Sequence, residues 1–476
     1  MKLDCLLKGI DVLEIYNKND VNITHITNNS RECKPGSLFV AVRGYQTDGH
    51  KYISSAVQNG AVAVICEEYN PQIKCMQIVV LASRRAEAQA AANFYGNPSK
   101  KFKLIGVTGT NGKTTVTYLV KHILEHEGKK VGLIGTNQNM IGEEVFETGR
   151  TTPDSIELQG IFAKMADAQV DYCIMEVSSH ALELDRVYGC HFHTGAFTNL
   201  TQDHLDFHKT MDNYAKAKAK LFSISDYAVI NADDIYSSTM QAFVTGKLLT
   251  YSSKKDASLL AKDVVLSSDG VSFDIDNERI SLSIPGEFSV YNALCAIGIA
   301  LSCEIEIPKI NEALSTAHGV KGRAEVVKTN TCYTVIIDYA HTPDGIENIL
   351  KTVKGFCKGR TIIVFGCGGD RDNTKRSIMG SIAGKLADFC VVTSDNPRTE
   401  DPMKIISMVE EGVKKSGGSY VVIESRYDAI KYALDNAKKD DVIILAGKGH
   451  ETYQILKNET IHFDEREVVK QILKLN

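Results

Sequence analysis

The segment 106–115, GVTGTNGKTT, holds the residue types that bind a nucleoside triphosphate. Glycines let the backbone approach phosphate oxygens, Lys113 can reach the β and γ oxygens, and the hydroxyl of Thr114 can ligate Mg²⁺. The usual phosphate-loop pattern has glycine where this chain has Val107, so the match is to a variant of that pattern. The segment predicts ATP or GTP binding by the following residues: Gly109, Thr110, Asn111, Gly112, Lys113, Thr114 and Thr115.

Strand-like and helix-like segments flank this loop. Residues 102–105 are mostly apolar, and apolar residues recur at helical spacing over 116–124, which gives the order strand, loop, helix. That order aims the unpaired N–H groups of the helix N-terminus at a bound phosphate. Further strand candidates follow at the spacing of a parallel sheet, at 131–134, 172–175, 194–198 and 227–230.

The remaining segments predict an α/β protein with three domains, at 1–98, 99–325 and 326–476. The first is a small α/β domain with strands at 37–42 and 61–65 and a helix-like stretch around 53–59. The second is the phosphate-loop domain, a central parallel sheet with a small antiparallel sheet, near 263–275 and 280–284, appended to it, and an Ala-rich helix at 292–302. The third is a Rossmann-like sheet with strands at 335–338, 361–365, 389–393 and 442–445, and 420–423 as a candidate fifth.

Four polar loops follow strands of the third domain. They are 338–341 (DYAH), 366–371 (GCGGDR), 395–398 (DNPR) and 447–451 (GKGHE). Ligands of such sheets bind at the carboxyl ends of the strands, so these loops predict a binding cleft at one edge. The glycines at 366–369 lack the full G-x-G-x-x-G fingerprint and are weak evidence for a dinucleotide.

Composition limits the class of protein. The length of 476 residues suits about three domains, and 43% hydrophobic with 24% charged residues is ordinary for a soluble globular protein. A net charge of −5 gives no overall basic field for nucleic acid or an anionic membrane. Charged residues interrupt the apolar N-terminal run 1–15, so we expect neither a signal peptide nor a membrane span. Twelve cysteines without a C-x-x-C pair fit a reducing cytoplasm.

Further motifs follow the phosphate loop in a fixed order. They are 175–180 (MEVSSH), 203–206 (DHLD), 322–325 (GRAE), 338–341 (DYAH) and 395–398 (DNPR). Each motif is modest alone, but in this order they resemble the Mur ligases of peptidoglycan synthesis, and the resemblance covers the whole chain. It implies that ATP phosphorylates the D-glutamyl carboxylate of UDP-N-acetylmuramoyl-L-alanyl-D-glutamate. An amino-acid amine then attacks the acyl phosphate.

The resemblance also implies a magnesium-dependent catalytic centre. Its catalytic residues are Lys113, Glu176, His204 and Lys218, and its metal ligands are Thr114, Glu176, His204 and a carboxylated Lys218, with His204 as a ligand of a second Mg²⁺. From the residues themselves, Glu176 ends an apolar strand run, so a parallel sheet would set it beside the phosphate loop. Without the resemblance, the alternating lysines of 214–220 are typical of a solvated helix face. His204 and His208 could also suggest zinc, but no H-E-x-x-H motif accompanies them.

Binding positions follow from the same resemblance. Positions that contact the nucleotide are Asn292, Arg323, Asp338 and His341. Positions that contact the nucleotide-sugar are Ser30, Tyr45, Gln46, Thr47, Thr151, Thr152, Ser178 and Arg186. Leu184 stands where the family often has glutamine, which puts one side-chain hydrogen bond in question but not the activity.

The form of the motif at 395–398 indicates which amino acid is added. Within the family the form with arginine accompanies meso-diaminopimelate, which is lysine with a second carboxylate, and the guanidinium of Arg398 can grip that carboxylate through two hydrogen bonds. In the alternative, Arg398 only ties its loop to a neighbouring carboxylate. The resemblance assigns the following residues to this site: Arg371, Asp395, Asn396, Pro397, Arg398, Gly447 and Glu451.

We therefore expect a cytoplasmic, monomeric ligase that adds meso-diaminopimelate and acts on small molecules only. The L-lysine-adding ligase of the same family is the nearest alternative. A nucleoside-triphosphate-dependent switch protein is a second alternative from another class, and it leaves the charged C-terminal loops unexplained.

Overall fold

The computed structural model of the protein describes residues 1–44, 47–146, 149–267, 270–317 and 319–475. Tyr45 and Gln46, two of the predicted nucleotide-sugar contacts, lie outside these residues. The chain divides into two compact units, one of residues 1–250 with 298–303 and the other of residues 251–297 with the chain from 304 onward. Within the described residues, no helix is both long enough and apolar enough to cross a membrane.

A five-stranded sheet begins the first unit. Its elements are α1 (Leu3–Leu6), β1 (Val12–Tyr16), β2 (His25–Thr27), β3 (Ser37–Val40), α2 (Ile53–Gln58), β4 (Ala61–Cys66), β5 (Met76–Val80) and α3 (Ser83–Phe94). The strand order is β1-β5-β4-β3-β2, parallel except for β1 against β5. β3 and β5 are buried along their whole length, as expected of parallel strands covered on both faces. The predicted strands at 37–42 and 61–65 are confirmed, whereas β1, β2 and β5 were not predicted.

A nine-stranded sheet follows. Its elements are β6 (Lys103–Thr108), α4 (Lys113–His126), β7 (Val131–Ile134), β8 (Asn139–Ile141), β9 (Glu144–Phe146), α5 (Ser155–Asp167), β10 (Tyr172–Glu176), α6 (Ser179–Glu183), β11 (Phe192–Phe197), α7 (Leu205–His208), α8 (Met211–Ala219), β12 (Ser225–Asn231), α9 (Ser237–Gln241), β13 (Lys247–Ser252) and β14 (Leu259–Leu260). The strand order is β14-β13-β12-β11-β6-β10-β7-β8-β9. Short 3₁₀ helices cover Ser30–Glu32, Gly49–Tyr52, Pro98–Lys100 and Lys220–Ile224.

The position of β6 in this sheet decides which residues meet the phosphate loop. β10 and β11 flank β6 and run parallel to it, with Glu176 opposite Val107 and Phe197 opposite Thr108. The carboxyl ends of the three strands therefore lie at one edge of the sheet. The predicted parallel sheet is confirmed, and the edge strands β8 and β9 add an antiparallel hairpin that was not predicted.

A small antiparallel sheet follows β14 along the chain. Strands β15 (Lys262–Ser267), β16 (Gly270–Ile275) and β17 (Glu278–Leu282) pair in chain order, and helices α10 (Glu287–Ser302) and α11 (Ile307–Thr316) follow. The predicted antiparallel sheet is confirmed, although its first predicted segment is two strands rather than one. All three strands belong to the second unit.

A six-stranded sheet forms the rest of the second unit. Its elements are β18 (Glu325–Val327), β19 (Thr334–Asp338), α12 (Pro343–Lys354), β20 (Thr361–Phe365), α13 (Thr374–Leu386), β21 (Phe389–Val392), α14 (Pro402–Ser416), β22 (Tyr420–Val422), α15 (Arg426–Asp435), β23 (Val442–Ala446), a hairpin of β24 (Tyr453–Ile455) and β25 (Thr460–His462), and α16 (Glu465–Leu473). The order is β18-β19-β23-β20-β21-β22, with β18 antiparallel and the other strands parallel. Apolar clusters cover both faces, which confirms the predicted Rossmann-like sheet and all five of its strands.

Candidate functional site

The loop between β6 and α4 has a backbone that only glycine accommodates at two positions. Gly112 directly precedes the helix with φ of +85°, and Gly109 has φ of +147°. A Cβ atom on Gly109 would lie 1.9 Å from the Thr198 hydroxyl oxygen, so any other residue would collide there. The loop thus leads directly into the N-terminus of α4. The first backbone N–H groups of a helix have no acceptor within that helix, so this end of α4 favours a bound anion.

The segment after β11 holds this loop in place. The backbone N–H of Thr110 donates to the Asn199 carbonyl over 2.8 Å, and that of Asn111 donates to the Asn199 side-chain oxygen over 2.9 Å. The Thr198 hydroxyl donates to the Asn111 carbonyl over 2.6 Å. These bonds explain why a loop of small polar residues keeps one conformation.

Two lysines direct their ammonium groups at the same loop carbonyl. Lys113 Nζ donates to the carbonyls of Gly109 (3.0 Å) and Thr110 (2.8 Å), and Lys218 Nζ donates to that of Gly109 (2.8 Å). Lys218 is only 2% exposed, so the predicted solvated helix face does not include it. Burial, and then the charge of Lys113, lower the pKa of Lys218 well below its usual value. Its amine is therefore more readily neutral and nucleophilic.

Glu176 lies on the other side of the loop between β6 and α4. The carboxylate is 1% exposed and accepts from the Thr114 hydroxyl over 2.9 Å. The backbone N–H and hydroxyl of Thr136 donate to its two oxygens over 2.9 and 3.0 Å. A carboxylate beside a threonine hydroxyl is the hard oxygen donor set that Mg²⁺ prefers, so the residues present fit this ion. Thr115, the next residue of the predicted loop, is buried in the first turn of α4.

His204 lies in a cluster of aromatic side chains. Its ring centroid is 4.8 Å from that of His180, which is 5.5 Å from that of His208, and His208 stacks on Tyr214 at 5.0 Å. Burial and neighbouring charges lower the pKa of His180 and of His208 to about 4. Both imidazoles are therefore neutral near pH 7. Sequence reasoning assigned no role to His180, because only the fold brings it to this cluster.

Four of the predicted nucleotide-sugar contacts join the network around Glu176. The Thr152 hydroxyl donates to the Glu176 carbonyl (2.8 Å) and accepts from the Ser178 N–H (3.0 Å), and Arg186 Nη1 donates to the Thr152 carbonyl (2.9 Å). The Thr151 hydroxyl lies 3.0 Å from that of Thr136, which itself bonds Glu176. These residues were predicted from different motifs, and the fold brings them together.

The remaining contacts predicted for the nucleotide-sugar lie in the N-terminal segment. Ser30 is buried in the first 3₁₀ helix, where its carbonyl accepts from the Asn59 side chain over 2.9 Å. The Thr47 hydroxyl lies 3.1 Å from that of Tyr52. Among the residues that the structure describes, neither forms a hydrogen bond to the Glu176 network. Leu184 follows the last turn of α6 and caps that helix.

Three of the predicted nucleotide contacts in the second unit surround Tyr339. The Asp338 carboxylate accepts from the backbone N–H groups of Ala324 (2.7 Å) and Ala340 (2.8 Å), which fixes its orientation. The Arg323 guanidinium carbon lies 4.8 Å from the centre of the Tyr339 ring, and the His341 ring lies 4.6 Å from it. The fourth residue, Asn292, is buried on α10.

Side chains of the loop after β21 contact side chains of the loop after β23. Asn396 Nδ2 donates to Glu451 Oε2 over 2.9 Å, and a Cβ atom on Gly447 would lie 2.6 Å from Asp395 Oδ2. Arg398, which follows Pro397, has φ of +52°. Its Nη1 donates to the Gly369 carbonyl over 2.8 Å. The guanidinium thus bonds a backbone carbonyl, and no ion pair joins it to a carboxylate among the residues that the structure describes.

Arg371 projects from the adjoining loop. Its side chain is exposed and Nη1 donates to the Asp370 carbonyl over 3.2 Å. A residue that sequence reasoning missed, Arg376, is 2% exposed and forms two hydrogen bonds with the Glu400 carboxylate, of 2.8 and 2.9 Å. Glu400 also accepts from the Asp370 N–H over 2.6 Å, so this ion pair ties the Arg371 loop to the loop after β21.

Family models cover most of the chain. The Mur ligase family catalytic-domain model matches residues 22–95, the Mur ligase middle-domain model matches residues 107–300, and the Mur ligase glutamate ligase domain model matches residues 322–449. Together these segments include residues 107–115 of the phosphate loop and the loop after β21, and the last of them ends at Gly449, within the loop after β23.

Curated relatives and a solved structure align end to end. A relative from Caldanaerobacter subterraneus is 53% identical over 99% of both chains, and one from Clostridium botulinum is 51% identical over 100% of both. Both carry the name UDP-N-acetylmuramoyl-L-alanyl-D-glutamate--2,6-diaminopimelate ligase. A solved structure of a protein with the same name covers 95% of each chain at 32% identity and a TM-score of 0.70. The chain therefore belongs to the Mur ligase family.

Proposed function

We propose that the chain is an ATP-dependent ligase that joins meso-2,6-diaminopimelate to UDP-N-acetylmuramoyl-L-alanyl-D-glutamate in the synthesis of peptidoglycan precursors. The observation that carries the proposal is the end-to-end identity of 53% and 51% to relatives that bear this ligase's name. The geometry supports it, because one unit holds a phosphate loop and the other holds an arginine and a glutamate on adjoining loops.

The first step transfers the γ-phosphoryl group of ATP to the D-glutamyl carboxylate, which gives an acyl phosphate and ADP. Both reactants are anions, so the step needs positive charge at the phosphates. Lys113 and the N–H groups that begin α4 supply it, once Lys113 exchanges its bonds to the loop carbonyls for phosphate oxygens. Glu176 and Thr114 would hold one Mg²⁺ and His204 a second, and these ions would neutralise further phosphate charge.

Lys218 contributes an anion in this proposal. Its neutral amine adds to the carbon of CO₂ and loses one proton, which leaves a carbamate in place of an ammonium group. The support is burial of the amine beside Lys113, because a buried cation is unfavourable there whereas an anion is attracted to the Lys113 ammonium. The carbamate would supply a ligand oxygen to Mg²⁺.

In the second step an amine of diaminopimelate attacks the acyl carbon, the amide bond forms and phosphate leaves. Arg398 and Arg371 hold carboxylates of the amino acid. Gly447 and Glu451 hold its distal amino-acid centre, and Glu451 pairs with the ammonium there. Asp395, Asn396 and Pro397 shape the site between these groups. A bidentate arginine–carboxylate contact selects for the second carboxylate, which lysine lacks.

The nucleotide-sugar binds along the residues that lead to Glu176. Thr151, Thr152, Ser178 and Arg186 are joined to Glu176 by hydrogen bonds, so a substrate held there presents its carboxylate near the metal ligands. Ser30, Tyr45, Gln46 and Thr47 are proposed contacts in the N-terminal segment. Asn292, Arg323, Asp338 and His341 are proposed contacts of the nucleotide.

We further propose a monomeric cytoplasmic enzyme whose domains are 1–98, 99–325 and 326–476. Its substrates are the three small molecules named above.

Phosphate release and product mass test this function. The assay combines ATP and Mg²⁺ with the nucleotide-sugar dipeptide and meso-diaminopimelate, and omits one component at a time. We expect release only when all are present, with a product heavier by one diaminopimelate less one water. A switch protein would hydrolyse ATP without the other two substrates, and a lysine-adding ligase would give the product with L-lysine.

A further inference from the structure

The buried Lys448 bridges the two loops that carry the proposed diaminopimelate site. It follows Gly447 at the end of β23 and is 0% exposed. Its Nζ donates to Asn396 Oδ1 over 3.2 Å and to Glu451 Oε2 over 3.2 Å, and it lies 3.6 Å from Asp395 Oδ1. One ammonium group thus contacts three of the proposed amino-acid-binding side chains.

These contacts orient Asn396. Its side-chain oxygen accepts from Lys448 and also from the Ile455 N–H over 2.9 Å. Because two donors face that oxygen, the amide NH₂ points the other way and donates to Glu451 Oε2. Lys448 and the Ile455 N–H therefore together determine which end of the amide faces the glutamate.

The same contacts orient Glu451. Asn396 and Lys448 both donate to Oε2, and Oε1 accepts no hydrogen bond from the part of the chain that the structure describes. A carboxylate held through one oxygen presents the other to an incoming ammonium group. The charges agree with this arrangement. Two buried cations, Lys448 and Arg426, face three carboxylates, so one negative charge of this group is left without a matching cation; the carboxylates are those of Asp395, Glu451 and Glu465.

We propose that Lys448 is a positioning residue for the amino-acid substrate, which aligns Asn396 and Glu451 so that the glutamate receives a substrate ammonium. This inference rests on the function proposed above. Sequence reasoning noted the segment 447–451 but gave Lys448 no role, since a lysine between two glycines looks like a solvated loop residue.

Substitution Lys448→Met keeps an unbranched side chain that is one heavy atom shorter, and removes its charge and donors. We expect the KM for meso-diaminopimelate to rise about 30-fold or more, as for loss of one partner of a buried charged pair. The KM values for ATP and for the nucleotide-sugar should stay within about twofold of the unmodified protein, with kcat reduced less than the diaminopimelate KM is raised. Lys448→Gln, which retains one donor for Asn396, should show a smaller rise in the same constant.

A matched control is Lys431→Met, since Lys431 is an exposed lysine on α15 paired with Asp435, and it should leave all constants unchanged. If the methionine variant is insoluble, the glutamine variant is measured alone, and a rise confined to the diaminopimelate KM supports the proposal. Equal rises in all three KM values, or an unchanged diaminopimelate KM, would overturn it. Failure of the unmodified protein to use diaminopimelate would instead refute the proposed function.

Discussion

Lys113 and Lys218 share one carbonyl acceptor but lie in different surroundings. Lys113 begins α4 and is partly exposed, whereas Lys218 is enclosed by Tyr214 and the phosphate loop, with its Nζ 4.6 Å from the centre of the Tyr214 ring. The ammonium group of Lys113 can therefore move to contact a phosphate. The side chain of Lys218 is held in place, and its surroundings control its charge.

Replacing Lys113 by Ala should abolish turnover and leave the fold intact. The lysine charge acts where negative charge develops during phosphoryl transfer, and a comparable electrostatic contact changes the rate by ~10²–10³. Steady-state phosphate release checks this result, with Lys129→Ala as an exposed-lysine control that should behave like the unmodified protein. Near-normal turnover of the Lys113 variant would contradict the assignment of the phosphate loop.

Replacing Lys218 by Ala should also inactivate the enzyme, but a small added carboxylate such as acetate should restore part of the activity. The reason is that the lost group is an anion in our account, and an external carboxylate can occupy its place. Lys216→Ala, on the exposed face of the same helix, should keep full activity and gain nothing from acetate. Full activity of the Lys218 variant without additive would show that no carbamate is needed.

The pairing of strands in the sheet explains which parts of the site could be predicted from the sequence. Glu176 follows an apolar run, so its position beside the loop could be inferred from the parallel pairing of β10 with β6. The roles of His180, Arg376 and Lys448 depend on neighbours distant in the chain, and their local sequence looks like ordinary helix or loop. The short strand β2 and the hairpin β24–β25 carry too few residues to show a period.

Helix α3 carries a buried acid that makes stability depend on pH. Glu87 is 5% exposed, accepts from Asn28 Nδ2 over 2.5 Å, and has its pKa raised from 4.5 to about 7, chiefly by burial. A carboxyl group with a raised folded pKa favours the folded state below its unfolded pKa. That advantage is lost as the pH rises through 7.

Glu87→Gln should therefore become more stable relative to the unmodified protein as the pH rises from 5 to 8. A pKa change of this size corresponds to a gain on the order of 3 kcal/mol in the free energy of unfolding of the variant at pH 8, relative to the unmodified protein. Urea unfolding at several pH values measures the difference, and Glu143→Gln at an exposed site is the control. Parallel stability curves for the Glu87 variant and the unmodified protein would contradict the raised pKa.

For the molecule as a whole, the proposed catalytic and amino-acid-binding residues lie in different units. The first unit holds the phosphate loop with Glu176, His204 and Lys218, and the second holds Arg398 and Glu451. The family and fold class could be predicted from the sequence because the motifs keep their order along the chain. The proposed boundaries at 98 and 325 stay predictions.

Selection of meso-diaminopimelate over L-lysine is tested by the ratio of their kcat/KM values, measured in the unmodified protein and in Arg398→Ala. When L-lysine replaces diaminopimelate as substrate, the Arg398 guanidinium has no carboxylate partner, which costs about 2–5 kcal/mol of binding free energy. We therefore predict a ratio of roughly 30 to several thousand in the unmodified protein, and a ratio that falls toward one in the variant. Equal values of kcat/KM for the two amino acids in the unmodified protein would contradict the account.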